Sequence, residues 1–246
     1  MRDLTDRALA TATALGAAYA DVRVVHRLDE AVTVKSGRVE GVSSGESEGF
    51  GVRVVVDGAW GFASSHVLST AEADRIAAAA VRIAKASATA LRHPVVLDDR
   101  PRARGRYETP VAEDPFSLPL ERKIADLVAA DRAMNAVRGV AYTESLYAAQ
   151  REWKTFAASD GSYTEQVITH VGTGLEANAI EGDEHQRRSW PDNGGGWASG
   201  GYEIVRRYDL AGNAERVASE AVELLSAPPL PPGVRTIVRH PSQLYM

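Results

Sequence analysis

Hydrophobic positions near the amino terminus recur every three to four residues and then switch to every second residue. Leu4, Ala8, Ala12, Leu15 and Ala18 make one stripe, which predicts a helix over residues 4–18. From Ala20 the stretch ADVRVV alternates Val22 and Val24 with Asp21 and Arg23, the pattern of a half-buried strand. VTVKSGRVEGV predicts a hairpin turning at Ser36-Gly37. GVRVVVDGAWGF predicts a second at Asp57-Gly58, a pair suited to a type I′ turn, whose two central residues take positive φ. STAE then reads as a capping box: the Ser69 hydroxyl accepts from the Glu72 N–H while the Glu72 carboxylate reaches back. The helix it opens carries Ile76, Ala80, Ile83 and Ala86 on one stripe and is expected to run to about Leu91, where His93-Pro94 follows.

The same order recurs after a proline-rich connector. A helix is expected over 118–136, with Leu120, Ile124, Leu127 and Val128 as its apolar face. Strands follow in VAYTESLYAAQ and EWKTFAASDG, and Asp160-Gly161 takes the place that Ser36-Gly37 holds earlier. SYTEQVITHVGTGLEANAI continues as a long strand, and the Gly-rich DNGGGWASGG reads as a loop interrupting the sheet before Tyr202 to Val205. A closing helix runs from about Leu210 to Leu225 with Asp209 as N-cap. The fold class is therefore α+β, two helix–antiparallel sheet–helix units in tandem. The expected domains are 1–93 and 118–227, joined by a connector over 94–117. Residues 228–246 begin with PPLPPGV, whose prolines favour a stiff, extended spacer, and lead into what reads as the truncated start of a third domain.

Composition alters this picture little. Of the 246 residues, 44% are hydrophobic and 25% charged, which is the balance of a soluble globular chain. The net charge of −5 supplies no overall field for nucleic acid or anionic lipid. RPRARGR, Arg100 to Arg106, is a local exception and reads as a solvated connector. There are no cysteines, which fits a reducing cytoplasm and leaves no disulfide or thiolate chemistry. ALATATALGAAYAD imitates a signal peptide only loosely, because Asp3 and Asp6 precede a weakly apolar stretch. No apolar run approaches the roughly 18 residues of a membrane span.

Candidate chemistry is sparse. Ser43 and Ser47 sit in overlapping G-x-S-x-G matches, but a strand pattern follows where a nucleophile elbow needs a helix. They are expected to decorate a loop or bulge. GTGLEA, Gly172 to Ala177, lacks room for the helix of a dinucleotide site and reads as a strand kink. NGGGWASGG has no Lys-Ser/Thr for a phosphate loop, although Trp190 and Trp197 beside it could line a binding edge. His26, His66, His93, His170, His185 and His240 lie at least fifteen residues apart, so no local metal-ligand pair exists. Glu181, Asp183, Glu184 and His185 read as a solvated charged turn. No catalytic, metal-binding or cofactor-binding residue is assigned.

Three stretches carry a family resemblance: AYADVRV, EGFGVRVVVDGAWGFASS and PPGVRTIVRHPSQLYM. Together they resemble the amino-terminal portion of a TldD-type protein of the TldD/PmbA family. The resemblance implies a cytoplasmic zinc metallopeptidase whose TldD-type subunit pairs with a PmbA-type (TldE) subunit and cleaves peptides or unfolded proteins. It also implies that zinc is held by an H-E-x-x-x-H helix in a third, carboxy-terminal domain, with the glutamate polarising water. That helix follows a P-S-Q-L-Y-like stretch in the family, and this chain reaches Pro241-Ser242-Gln243-Leu244-Tyr245 and ends at Met246. The expectation is a substrate-handling and dimerisation portion, without the metal ligands or catalytic glutamate, inactive alone. Its partners would be a peptide substrate and a PmbA/TldE-type subunit or a second copy, with neither nucleic acid nor membrane. The alternative is a non-catalytic peptide-binding or scaffolding subunit of PmbA/TldE type.

Overall fold

A computed structural model describes residues 1–98 and 101–239. His240, the Pro241–Met246 stretch and Arg100 at the head of the basic run lie outside the described residues. The elements in chain order are α1 (Arg2–Ala14), β1 (Tyr19–Lys35), β2 (Arg38–Val56), β3 (Ala59–Ser65), α2 (Thr70–Ala88), β4 (Arg104–Glu108), α3 (Leu120–Asn135), β5 (Val140–Ala158), β6 (Tyr163–Glu181), β7 (Glu184–Trp190), β8 (Gly196–Ser199), α4 (Glu203–Tyr208) and α5 (Leu210–Leu224). The class is α+β, as the sequence pattern predicts. Strands pair in the order β3-β2-β1-β5-β6-β4, and β7 and β8 also pair with β6. Both early turns form where expected, with Ser36, Gly37, Asp57 and Gly58 all at positive φ. The strands they join are far longer than the hydrophobic alternation indicates. β1, β2, β5 and β6 run for 17 to 19 residues each.

The chain folds into two compact units, each drawn from three segments. The first comprises Met1–Leu28, Glu46–Glu108 and Arg151–Ile168. Its core joins Leu4, Ala8 and Ala12 of α1 and Ile76, Ala77, Ala80 and Val81 of α2 to Val22, Val24, Val52 and Val54 of the sheet. Burying each of these valines contributes about 1.5–3 kcal/mol relative to leaving it exposed. The predicted stripes meet this core in part: Leu4, Ala8 and Ala12 of α1 and Ile76 and Ala80 of α2 are buried as expected, and the rest are not. α1 stops at Ala14, leaving Leu15 exposed, and α2 buries Ala73, Ile76, Ala77, Ala80, Val81 and Ala84 while Ile83 faces water. In so alanine-rich a helix several faces are nearly equivalent, and the choice falls to the partner. Here β3 makes it: a Cβ on Gly61 would lie 2.0 Å from the Ala80 carbonyl oxygen, so α2 touches the strand backbone there. The Ser69 hydroxyl accepts from the Glu72 N–H at 3.2 Å, as expected. The reciprocal half of the capping box is absent, because Glu72 is held by Arg75 at 2.6 and 2.7 Å and the Ser69 N–H bonds Val67.

The second unit comprises Asp29–Gly45, Thr109–Gln150 and the chain from Thr169 onward. α3, α4 and α5 bury Leu127, Met134, Ile204, Val217 and Ala221 against Val32, Val34, Tyr147, Val171 and Leu175. Asp209 caps α5 as predicted, accepting from the Gly212 N–H at 3.1 Å. Three local expectations fail. Part of the connector, Arg104–Glu108, is a strand parallel to β6. Part of the Gly-rich loop, Gly196–Ser199, is a strand paired with His170–Thr173. Tyr202 to Val205 opens the helix α4 instead of resuming the sheet. Main-chain pairing decides the two new strands, and such pairing leaves little trace in side-chain pattern.

Candidate functional site

Residues 38–45 of β2 form an open edge in the second unit. β3 pairs with β2 only from Phe50 to Val56, and every residue from Arg38 to Gly45 is exposed. Among the described residues no strand covers the side of this stretch that faces away from β1. Its composition, RVEGVSSG, is small and polar, so main-chain donors and acceptors are its chief chemistry.

The start of that edge is clamped. The carboxylate of Asp131, fully buried on α3, accepts from the Gly37 N–H at the hairpin turn. It also accepts from Thr143 Oγ1 at 2.8 Å, Ser145 Oγ at 3.1 Å and Asn135 Nδ2 at 3.0 Å. Four donors solvate one carboxylate, which is how a charge is kept in a protein interior. The Ser36 N–H adds a bond to the Thr143 carbonyl at 3.0 Å. Eight residues before Asp131 on α3, the fully buried Lys123 ammonium pairs with Glu30 of β1 and lies 5.3 Å from the centre of the Tyr147 ring. Burial, then the Glu30 charge, push the Tyr147 hydroxyl well above its ordinary pKa. Tyr202 is raised likewise, by burial first and then by Asp126, which accepts its hydroxyl at 3.1 Å. These groups hold α3 to the β1–β2 ribbon and offer no nucleophile. Sequence reasoning missed them because it placed the apolar face on Leu120, Ile124, Leu127 and Val128, of which Leu127 is buried and the other three only partly so. The buried stripe is Lys123, Leu127, Ala130, Asp131 and Met134. Its helical spacing is regular, and two charges within it were the available signal.

The other candidates fall in separate places. Ser43 lies on the exposed β2 edge and Ser47 further along the same strand, not on a loop, and no helix follows either. Gly172 and Gly174 sit inside β6. They are glycines because something lies against them. A Cβ on Gly172 would lie 2.5 Å from the Trp197 ring, and one on Gly174 would lie 2.5 Å from the Gly195 Cα. Trp197 is 59% exposed, whereas the Trp190 indole is committed to the Tyr208 carbonyl at 2.8 Å. Gly182 and Asp183 make the β6–β7 turn, with Glu181, Asp183 and Glu184 exposed as predicted. His26 Nε2 lies 2.7 Å from Glu46 and its ring stacks on Trp153, while His185 meets Asn178 at 2.9 Å. Among the described residues no three His, Cys, Asp or Glu side chains converge in a way that could hold a metal ion. The donor set a zinc ion takes is therefore not assembled by them. In the first unit, a groove of about 670 Å³ is lined by Arg23, Phe50, Arg53 and Phe62, among others.

Known proteins resemble this chain over most of its length. Residues 20–84 match the PmbA/TldA metallopeptidase domain 1, and residues 113–227 match the PmbA/TldA metallopeptidase central domain. A metalloprotease of Methanothermobacter thermautotrophicus is 30% identical over 91% of this chain, and one of Methanocaldococcus jannaschii is 26% identical over 91%. The chain spans about half of their length, 47% and 48%. Among solved structures, a candidate modulator of DNA gyrase from Thermotoga maritima superposes with a TM-score of 0.72 at 16% identity, over 94% of this chain and 50% of that one. TldE from Thermococcus kodakarensis superposes with a TM-score of 0.59 at 14% identity, over 89% and 46%. At those identities the likeness is one of fold. With both family domains matched in order on one α+β sheet, the chain belongs to the TldD/PmbA family.

Proposed function

We propose that this chain is the substrate-handling and assembly portion of a TldD-type metallopeptidase, and that it receives an extended peptide along Arg38–Gly45 of β2. The observation that carries the reading is the open edge itself, held in register at its turn by the buried Asp131 carboxylate. An added strand gains main-chain hydrogen bonds that ignore side-chain identity, which suits a peptidase acting on unfolded chains. The metal, the base and the attacking water belong, in this reading, to residues outside the described ones, and no chemical step is assigned to these.

The experiment is a titration of a labelled, uncharged, unstructured decapeptide into the purified chain. Val42→Pro and Ser43→Pro are compared, since adjacent residues of a strand direct their N–H groups to opposite sides. The variant that loses the outward donor is expected to stay folded and to lose peptide binding. Unchanged binding in both would overturn the β2 assignment. Stoichiometric zinc together with peptide hydrolysis by this same polypeptide would overturn the division of labour.

The rival reading is a non-catalytic partner subunit of PmbA/TldE type, which would use the same edge for assembly. It predicts that the chain pairs with a catalytic subunit and that proline at the edge abolishes pairing without affecting capture of free peptide.

A further inference from the structure

The basic run that the sequence leaves as a solvated connector becomes structured in the first unit. β4 runs parallel to β6 in the register Arg104↔Tyr163 to Glu108↔Val167 and ends the strand order, so its outer side is free among the described strands. Along a strand alternate residues share a face, so Arg104 and Arg106 project together about 6.6 Å apart. Arg102 continues the row and converges with Arg104 on the Asp160-Gly161 turn. A Cβ on Gly161 would lie 3.3 Å from Arg104 Nη2 and 3.9 Å from Arg102 Nη1.

Beside this row lies a cleft of about 430 Å³ between α1 and β4. Its charged lining is Arg2, Arg104 and Arg106 against Asp6 and Glu165. Both carboxylates are engaged, Asp6 at 3.8 Å from Arg2 and Glu165 by the Tyr163 hydroxyl at 3.0 Å. Arg106 has Glu108 at 3.2 Å, and Arg104 donates only to the Gly161 carbonyl at 2.9 Å. Arg102 and Arg104 have no carboxylate partner among the described residues. An edge strand can carry charge merely to repel other edges. Repulsion alone does not require that arginines from a helix and a strand line one cleft.

We propose that this cleft and the outer side of β4 bind an acidic peptide segment in extended form. Carboxylates at alternate positions would meet Arg104 and Arg106, with Arg102 at the rim, and the peptide main chain would pair with β4. Guanidinium forks suit carboxylates in this geometry, and the spacing of alternate strand residues matches the arginine row. The site is independent of the β2 edge and of any peptidase reading.

The test is fluorescence anisotropy with labelled Glu-Val-Glu-Val-Glu, its Gln-Val-Gln-Val-Gln counterpart and a single-stranded oligothymidylate of equal charge. The glutamate peptide is expected to bind at least tenfold more tightly than the glutamine peptide, and to weaken several-fold between 50 and 300 mM salt, on the order expected for exposed charges. The double substitution Arg102→Glu, Arg104→Glu should abolish the preference for the glutamate peptide over the glutamine peptide with unchanged circular dichroism, and Arg104→Lys should weaken that preference less. Arg187→Glu in the second unit should leave it intact. Equal affinity of the parent chain for the glutamate and glutamine peptides, a glutamate preference retained in the folded double variant, or tighter binding of the oligonucleotide than of the peptide would each overturn the proposal.

Discussion

At the scale of single residues, the stakes are highest where charge is buried. Asp131 accepts from a main-chain N–H, two hydroxyls and an amide, so Asp131→Ala would strand several donors in the interior. The expected cost is about 3 kcal/mol, read as a lower urea midpoint with an unchanged slope. Glu72 makes a different prediction. Hydrogen bonds from Arg75 first, and Ser65 second, hold its carboxyl at about 2, below the ordinary 4.5. A depressed acid stabilises the fold fully above about pH 4.5, and that contribution is lost as pH falls toward 2. Glu72→Gln should therefore flatten the fall in urea midpoint between pH 4.5 and 2.5, and an equally steep fall in the variant would refute the assignment. The Ser69 cap was legible because it is local. The destination of the Glu72 side chain was not, since Arg75 lies one helical turn away and competes for the same carboxylate.

At the scale of elements, turns were easier to read than faces. Ser36-Gly37 and Asp57-Gly58 require positive φ whatever surrounds them, and both hairpins turn where the residues say. Helix faces depend on a neighbour, and α2 buries Ala84 instead of Ile83 because Gly61 lets the helix backbone meet β3. Gly61→Ala should cost about 3 kcal/mol or more, because a methyl group there meets main-chain atoms that no rotamer change can move. Thermal unfolding of the purified variant measures this, and a melting temperature equal to that of the parent would contradict the close approach. On β6, Trp197 covers Gly172 in the same manner, but its ring is the movable end of a side chain. The long strand was readable there. The glycines' neighbours were not, since Trp197, which pairs with Gly172, lies 25 positions further along the chain.

At the scale of the whole molecule, the open main chain along Arg38–Gly45 carries a hazard as well as a use. Val39 and Val42 are 45% and 47% exposed on this edge. The purified chain should self-associate with rising concentration, seen as a growing mass by light scattering, and Val42→Lys should suppress it. A steady monomer mass across the range would argue against a sticky edge. The α+β class, the four longer helices, the two early turns and the Ser69 and Asp209 side-chain caps followed from the sequence by itself, because each is set largely by residues within one or two turns of one another. Membership of the TldD/PmbA family rests on the domain matches over residues 20–84 and 113–227. Only the tertiary structure decided which helix faces are buried, that Arg104–Glu108 and Gly196–Ser199 become strands, and that Asp29–Gly45 packs with Thr109–Gln150. Those outcomes depend on partners far away in the chain, and a main-chain hydrogen bond to a distant strand places almost no demand on the side chains that would announce it.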